Sequence, residues 1–116
     1  MKIIRRRITT KKREAARIFV ENRLSYFNKI YNFEINRVAI KNTTARWGSC
    51  SSKRNLNFNY KIIYLRKELS DYLIVHELCH LGELNHSKRF WALVRKAIPD
   101  YDKINNELKK TNIRLM

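Results

Sequence analysis

His76, His80 and His86 are all the histidines of a 116-residue chain, and Glu77 directly follows the first of them. On a helix, the four-residue spacing of His76 and His80 puts both imidazoles on one face, about one turn apart. Two imidazoles so placed can hold one zinc ion. Glu77 lies about 100° further round the same helix. That direction is poor for a ligand, but it lets the carboxylate reach a water at the ion. The pattern is H-E-x-x-H, two metal ligands and a general base.

A catalytic zinc needs a third protein ligand and one open position. Glu83 shares the helical face, but its Cα is about 10 Å along the axis from that of His76. It cannot close a site lying between His76 and His80. The chain must leave the helix and return, and Gly82 is expected to allow this by accepting positive φ. His86 then arrives six residues after His80. Cys79 is near this face but reads as a core residue rather than a ligand. Asp71, near the helix start, is expected to serve the helix dipole. The histidine spacing matches metzincins. Gly82 falls one position early for that group, however, and Met116 is the only later methionine, so no Met-turn follows.

The elements that must position these residues are legible in outline. Residues 10–31 predict a helix capped by Thr9 or Thr10, with Ala15, Ile18, Phe19, Leu24, Phe27, Ile30 and Tyr31 as its apolar stripe. Residues 36–41 and 44–51 predict strands, and 52–55 a turn. Residues 55–60 alternate, with Leu56, Phe58 and Tyr60 on one face and Asn55, Asn57 and Asn59 on the other. Residues 61–66 are ambiguous. Residues 67–82 predict the histidine helix. Ser87 caps a helix over 88–98 with Phe90, Trp91, Val94 and Ile98 inward, and a last helix spans 100–112 after Pro99. The expectation is one α+β domain over residues 1–116: an N-terminal helix, a small antiparallel sheet, the histidine helix and C-terminal helices.

The net charge is +16, from 26 Lys and Arg against 10 Asp and Glu. It is densest at the N-terminus, where residues 1–23 hold nine basic and two acidic side chains. Arg5, Arg6, Arg7, Lys11, Lys12, Arg13 and Arg17 are candidates for binding nucleic acid or another anion such as a nucleotide. A solvated basic surface is the plainer reading. No apolar segment follows the basic start, and no apolar run is long enough to span a bilayer. A cytoplasmic protein with no membrane partner is expected, its Cys50 and Cys79 free thiols. The sequons at Asn42 and Asn85 then carry no meaning.

The stretches "RWGSC", "NFNY", "DYLIVHELCHL" and "NHSKRFW" fall in order within residues 36–102. With "PDY" behind them, they resemble the YgjP-like metallopeptidase-domain family, related to the SprT-like and Wss1-like zinc proteins. The resemblance implies a minimal zincin-like fold, Zn2+ at His76, His80 and His86, Glu77 as base, and a peptide or protein substrate. Family members are usually about twice as long, with more β-rich sequence before the first helix, so a short form is expected. The resemblance also implies a strand edging the cleft beside the metal. "NLNFN" is the candidate, with Asn57 and Asn59 contacting substrate and an extended peptide pairing along it. Arg46 is a candidate for stabilising an oxyanion, whereas Trp47 and Ser49 read as turn or packing residues.

Three functions compete on the sequence. The first, and favoured, is a zinc-dependent peptidase. The second is a metal-dependent nucleotide pyrophosphatase, which the charge suits and the lack of a glycine-rich phosphate loop disfavours. The third is a zinc-stabilised nucleic-acid-binding module without catalysis, which would have no use for Glu77.

Overall fold

A computed structural model describes residues 8–115. Helix α1 spans Thr10–Tyr31, strands β1, β2 and β3 span Arg37–Lys41, Gly48–Cys50 and Asn55–Asn59, and a 3-10 turn covers Tyr60–Tyr64. Helices α2, α3 and α4 follow at Lys67–Cys79, Lys88–Ala97 and Tyr101–Lys110, with a final 3-10 turn at Ile113–Leu115. The α+β class stands. No helix among the described residues is long and apolar enough to cross a membrane.

Helix α1 starts where the Thr9 side chain accepts from the Lys12 N–H at 3.1 Å. It ends at Asn32, which takes a left-handed conformation at φ 55°. Its buried face is Ala16, Val20, Leu24 and Phe27, spaced four, four and three residues apart. The stripe expected from the apolar spacing is rotated from this one: Ile18 and Ile30 are half exposed. Part of the reason lies in Ala16, a small residue that admits close packing and carries little hydrophobic signal itself.

The sheet is mixed rather than antiparallel, in the order β1-β3-β2. Strand β1 runs parallel to β3, with Val38 opposite Leu56 and Ile40 opposite Phe58. Strand β2 runs antiparallel to β3, with Gly48 opposite Phe58 and Cys50 opposite Leu56. "NLNFN" is therefore the central strand, with both edges already paired, and no peptide can add along it. Because β1 and β2 flank β3, the segment 42–47 must cross the end of β3. Asn59 fastens that crossing: its Nδ2 donates to the Thr43 carbonyl at 2.6 Å and the Arg46 carbonyl at 3.2 Å. Its Oδ1 accepts from the Lys61 N–H at 3.0 Å and opens the 3-10 turn.

Helix α2 is buried nearly all round, as befits an element packed on every side. Strand β2 meets it on one side and α1, α3 and α4 meet it on others. Asp71, expected to serve the helix dipole, lies past the first turn of α2 and is engaged instead by a partner. Its carboxylate takes two hydrogen bonds from Arg23 of α1, at 2.9 and 3.0 Å. The helix also stops at Cys79, earlier than expected, and the next N–H groups tighten to 3-10 bonds onto Leu78 and Cys79. Gly82 does not adopt positive φ. It is needed for space: a Cβ there would lie 2.8 Å from Phe33 Cζ and 3.0 Å from Leu93 Cδ1.

Candidate active site

The three histidines converge although they leave the backbone in different settings. His76 projects from the last turn of α2, and His80 caps that helix. His86 precedes Ser87, whose hydroxyl accepts from the Phe90 N–H at 3.3 Å and starts α3. The three Nε2 atoms lie 3.3 Å (76 to 80), 3.1 Å (80 to 86) and 3.3 Å (76 to 86) apart. A tetrahedral zinc site with metal–nitrogen bonds of about 2.0–2.1 Å places its ligand atoms about 3.3–3.4 Å apart. The three residues thus fit a metal ion and form a cluster that could hold one.

The far side of each ring is also accounted for. His80 Nδ1 lies 2.9 Å from the Glu83 carbonyl. His76 Nδ1 lies 3.0 Å from the Tyr72 hydroxyl, which donates to Asn105 Oδ1 at 2.8 Å. His86 stacks on Trp91 at 5.8 Å and 24°. Phe90, fully buried, lies under all three rings, 4.3 Å from the His80 centroid and 5.1 Å from the others. Burial holds the His76 imidazole down to about 3, with repulsion from His80 and His86 adding to it. Burial also lowers His80. Both stay neutral at pH 7, the form that ligates.

Glu77 is 6% exposed. Burial lifts its carboxyl to about 7, and the Arg46 cation pulls the other way. Space for it comes from Gly48, where a Cβ would lie 3.1 Å from Glu77 Cγ and 3.0 Å from the Asn57 carbonyl. His76 and Glu77 open into a cleft of about 250 Å³, bounded by Arg46, Trp47, Gly48, Tyr72 and Asn105 among others. A carboxyl near neutrality beside a neutral imidazole cluster can exchange protons with a water in that cleft.

Arg46 therefore reaches the cleft. Asn57 and Asn59 do not: they sit with grooves on the sheet face opposite α2. Asn57 Nδ2 donates to Ser49 Oγ at 3.1 Å, and Asn59 is spent on the crossing. Trp47 and Ser49 have such packing roles, though Trp47 also forms cleft wall. Cys79 lies in the core, outside the histidine cluster, as expected. Lys11 and Lys12 are exposed. Arg13 and Arg17 are turned to structure, donating to the Ile40 and Val38 carbonyls of β1, the latter at 3.2 Å. Arg5, Arg6 and Arg7 lie outside the described residues. Tyr72, Asn105 and Gly48 were not singled out from the sequence. Tyr72, one turn before His76 on the same face, carried a readable signal; Asn105, on a different helix, did not.

A family model described as YgjP-like, metallopeptidase domain, matches residues 1–111. Two solved structures share the fold. The metallopeptidase zymogen of Pyrococcus abyssi abylysin superposes with a TM-score of 0.68 and is 24% identical, covering 77% of this chain and 90% of that one. The metallopeptidase zymogen of Methanocaldococcus jannaschii jannalysin gives a TM-score of 0.67 at 24% identity, covering 84% of this chain and 97% of that one. No curated protein sequence matches this chain.

Proposed function

Because the chain belongs to the YgjP-like metallopeptidase-domain family, we propose that it is a zinc-dependent peptidase with ligands His76, His80 and His86 and general base Glu77. The observation that carries this reading is the convergence of three Nε2 atoms to 3.1–3.3 Å beside a buried carboxyl. Unprotonated nitrogens at that separation repel one another unless a cation sits among them. The chemistry such an ion supplies when bound is Lewis acidity, toward a water and toward a peptide carbonyl.

The rest falls to the protein's own groups. Glu77 takes a proton from the attacking water and returns it to the departing amine, a task suited to a carboxyl near 7. Arg46 sets a positive charge on the cleft wall, where it favours the negative charge that grows on the carbonyl oxygen. Phe90 and Trp91 keep the histidine cluster dry on its inner side.

The substrate is an extended peptide, and its dock is the outer edge of β2. The Asn59 N–H donates to the Trp47 carbonyl and the Ser51 N–H to the Asn55 carbonyl, so in this register Gly48 and Cys50 present their backbone groups outward. A strand added there runs alongside Glu77.

Metal content and hydrolysis together test the reading. Wild type purified without added metal should hold about one zinc per chain and His86→Ala much less. Wild type should cleave an unstructured protein such as casein, and Glu77→Gln should bind zinc without cleaving. A metal-free wild type, or a Glu77→Gln as active as wild type, overturns it.

A further inference from the structure

We propose that Tyr72 and Asn105 are positioning residues that fix the tautomer of His76, so that helix α4 sets how well the site binds its metal. The proposal rests on the metal-site reading above and concerns two residues on the cleft wall whose role here is toward His76.

The argument is one of proton counting. The phenol of Tyr72 has one hydrogen to give. It lies 2.8 Å from Asn105 Oδ1, an acceptor with no hydrogen of its own. The phenol therefore donates to Asn105, which leaves its oxygen lone pairs for the second neighbour, His76 Nδ1 at 3.0 Å. That contact is a hydrogen bond only if Nδ1 carries the imidazole proton. A neutral imidazole has one such proton, so Nε2 is left with a free lone pair. Nε2 is the atom that points at the other two histidines. His80 is held the same way, with Nδ1 on the Glu83 carbonyl at 2.9 Å. Its anchor is backbone and cannot be lost by substitution, whereas that of His76 is a relay of two side chains from two helices.

The relay is well supported sterically. Tyr72 is 1% exposed, its ring meets the His76 ring edge-on at 5.6 Å and 61°, and it stands one helical turn before His76. Asn105 comes from the middle of α4, a helix docked on α2 through Ile104 and Leu108. The direction of the relay depends on Asn105 alone. Without an acceptor there, the phenol hydrogen is free to turn to His76 Nδ1 and would hold the proton on Nε2, the wrong nitrogen for a ligand.

This gives an unusual ranking of variants. Partners of metal-bound histidines are typically worth about 10–100-fold in metal affinity. Zinc affinity, measured by chelator competition on the full chain, should fall about 10-fold or more in Tyr72→Phe. It should fall at least as far in Asn105→Leu, though neither residue touches the ion. Asn105→Asp, which keeps an acceptor, should stay within about threefold of wild type. A pure packing role for position 105 predicts the opposite order, with Leu tolerated and Asp harmful. The second readout needs no metal: nitrogen-15 shifts of His76 in the metal-free protein at neutral pH. They should show Nδ1 protonated in wild type and Asn105→Asp, and Nε2 protonated in Asn105→Leu. Equal zinc affinity across the series, or wild-type His76 protonated on Nε2, overturns the proposal. If wild type binds no zinc, the metal reading fails on its own, and the nitrogen shifts still decide the relay.

Discussion

Arg23 and Asp71 join α1 to α2 by two parallel hydrogen bonds, 2.9 Å from Nε to Oδ1 and 3.0 Å from Nη2 to Oδ2. The guanidinium also lies over the rings of Tyr26 and Phe27 at 4.6 and 5.1 Å. With side chains only 23% and 13% exposed, removing one partner leaves a largely desolvated charge. Asp71→Asn or Arg23→Met should each destabilise the fold by roughly 2–3 kcal/mol, less than the roughly 3–5 kcal/mol of a fully buried pair because some water remains. The double variant should lose less than the sum. Urea unfolding of the four proteins measures the coupling, and strict additivity would show the pair to be idle.

Gly48→Ala should harm catalysis more than stability. Its new methyl would press on Glu77 Cγ at 3.1 Å and on the Asn57 carbonyl at 3.0 Å. Crowding of this kind costs about 1–3 kcal/mol, but the side chain that has to yield is the proposed base. Peptide hydrolysis should drop at least about 10-fold at unchanged zinc content. Full activity in a folded variant would mean that Glu77 need not sit where it does.

Asn59→Ala should loosen the crossing between β1 and β2. It strips a partner from the Thr43 and Arg46 carbonyls and from the Lys61 N–H. Loss of such buried hydrogen bonds costs about 1–3 kcal/mol. Amide exchange should quicken in residues 42–47, while α2 stays protected. If exchange there is unchanged, another contact holds the crossing.

Alkali should weaken the fold early. Burial pushes the Cys79 thiol from its ordinary 9.0 up to about 11 and raises the neighbouring Tyr31 phenol above its usual 10.0. Both groups keep their protons in the folded chain after they would lose them in the unfolded one. The Cys79 contribution is whole below about pH 9 and is lost as pH climbs toward 11, and the Tyr31 contribution declines once pH passes the ordinary 10.0 of a phenol. Thermal melts from pH 7 to 10.5 should show the decline, less steeply in Cys79→Ala. The same burial should keep Cys79 from iodoacetamide in the native protein, while half-buried Cys50 reacts slowly. Rapid labelling of two thiols would contradict this.

The candidate metal site was the most legible part of the chain, because the spacing of its histidines is a local property. His76 and His80 share a face by helix geometry alone, and His86 had only to follow a turn. The caps at Thr9 and Ser87 are local too, and both stand. What escaped was set by distant partners. Nothing within residues 36–60 states that the second strand is skipped in pairing. The hint was Asn59, an asparagine in a strand, whose reason proved to be a crossing rather than a substrate. Asp71 looked like a helix-end carboxylate because Arg23 is 48 residues away. Gly82 looked like a turn glycine because Phe33 and Leu93, which leave no room for a side chain, lie far along the sequence. The inward face of α1 was mistaken because a large exposed isoleucine outweighs a small buried alanine in any periodicity count.

The arginines that close β1 have a consequence for life at high concentration. A three-stranded sheet has two raw margins, and identical chains that join through both can extend into a fibril without end. Among the described residues, Arg13 and Arg17 occupy the Ile40 and Val38 carbonyls of one margin, and the other margin, the outer edge of β2, is the one proposed to take the peptide. A guest strand would have to displace these arginines to pair with β1. The same cationic side chains that an electrostatic reading assigns to polyanions would then act as a stopper against self-association.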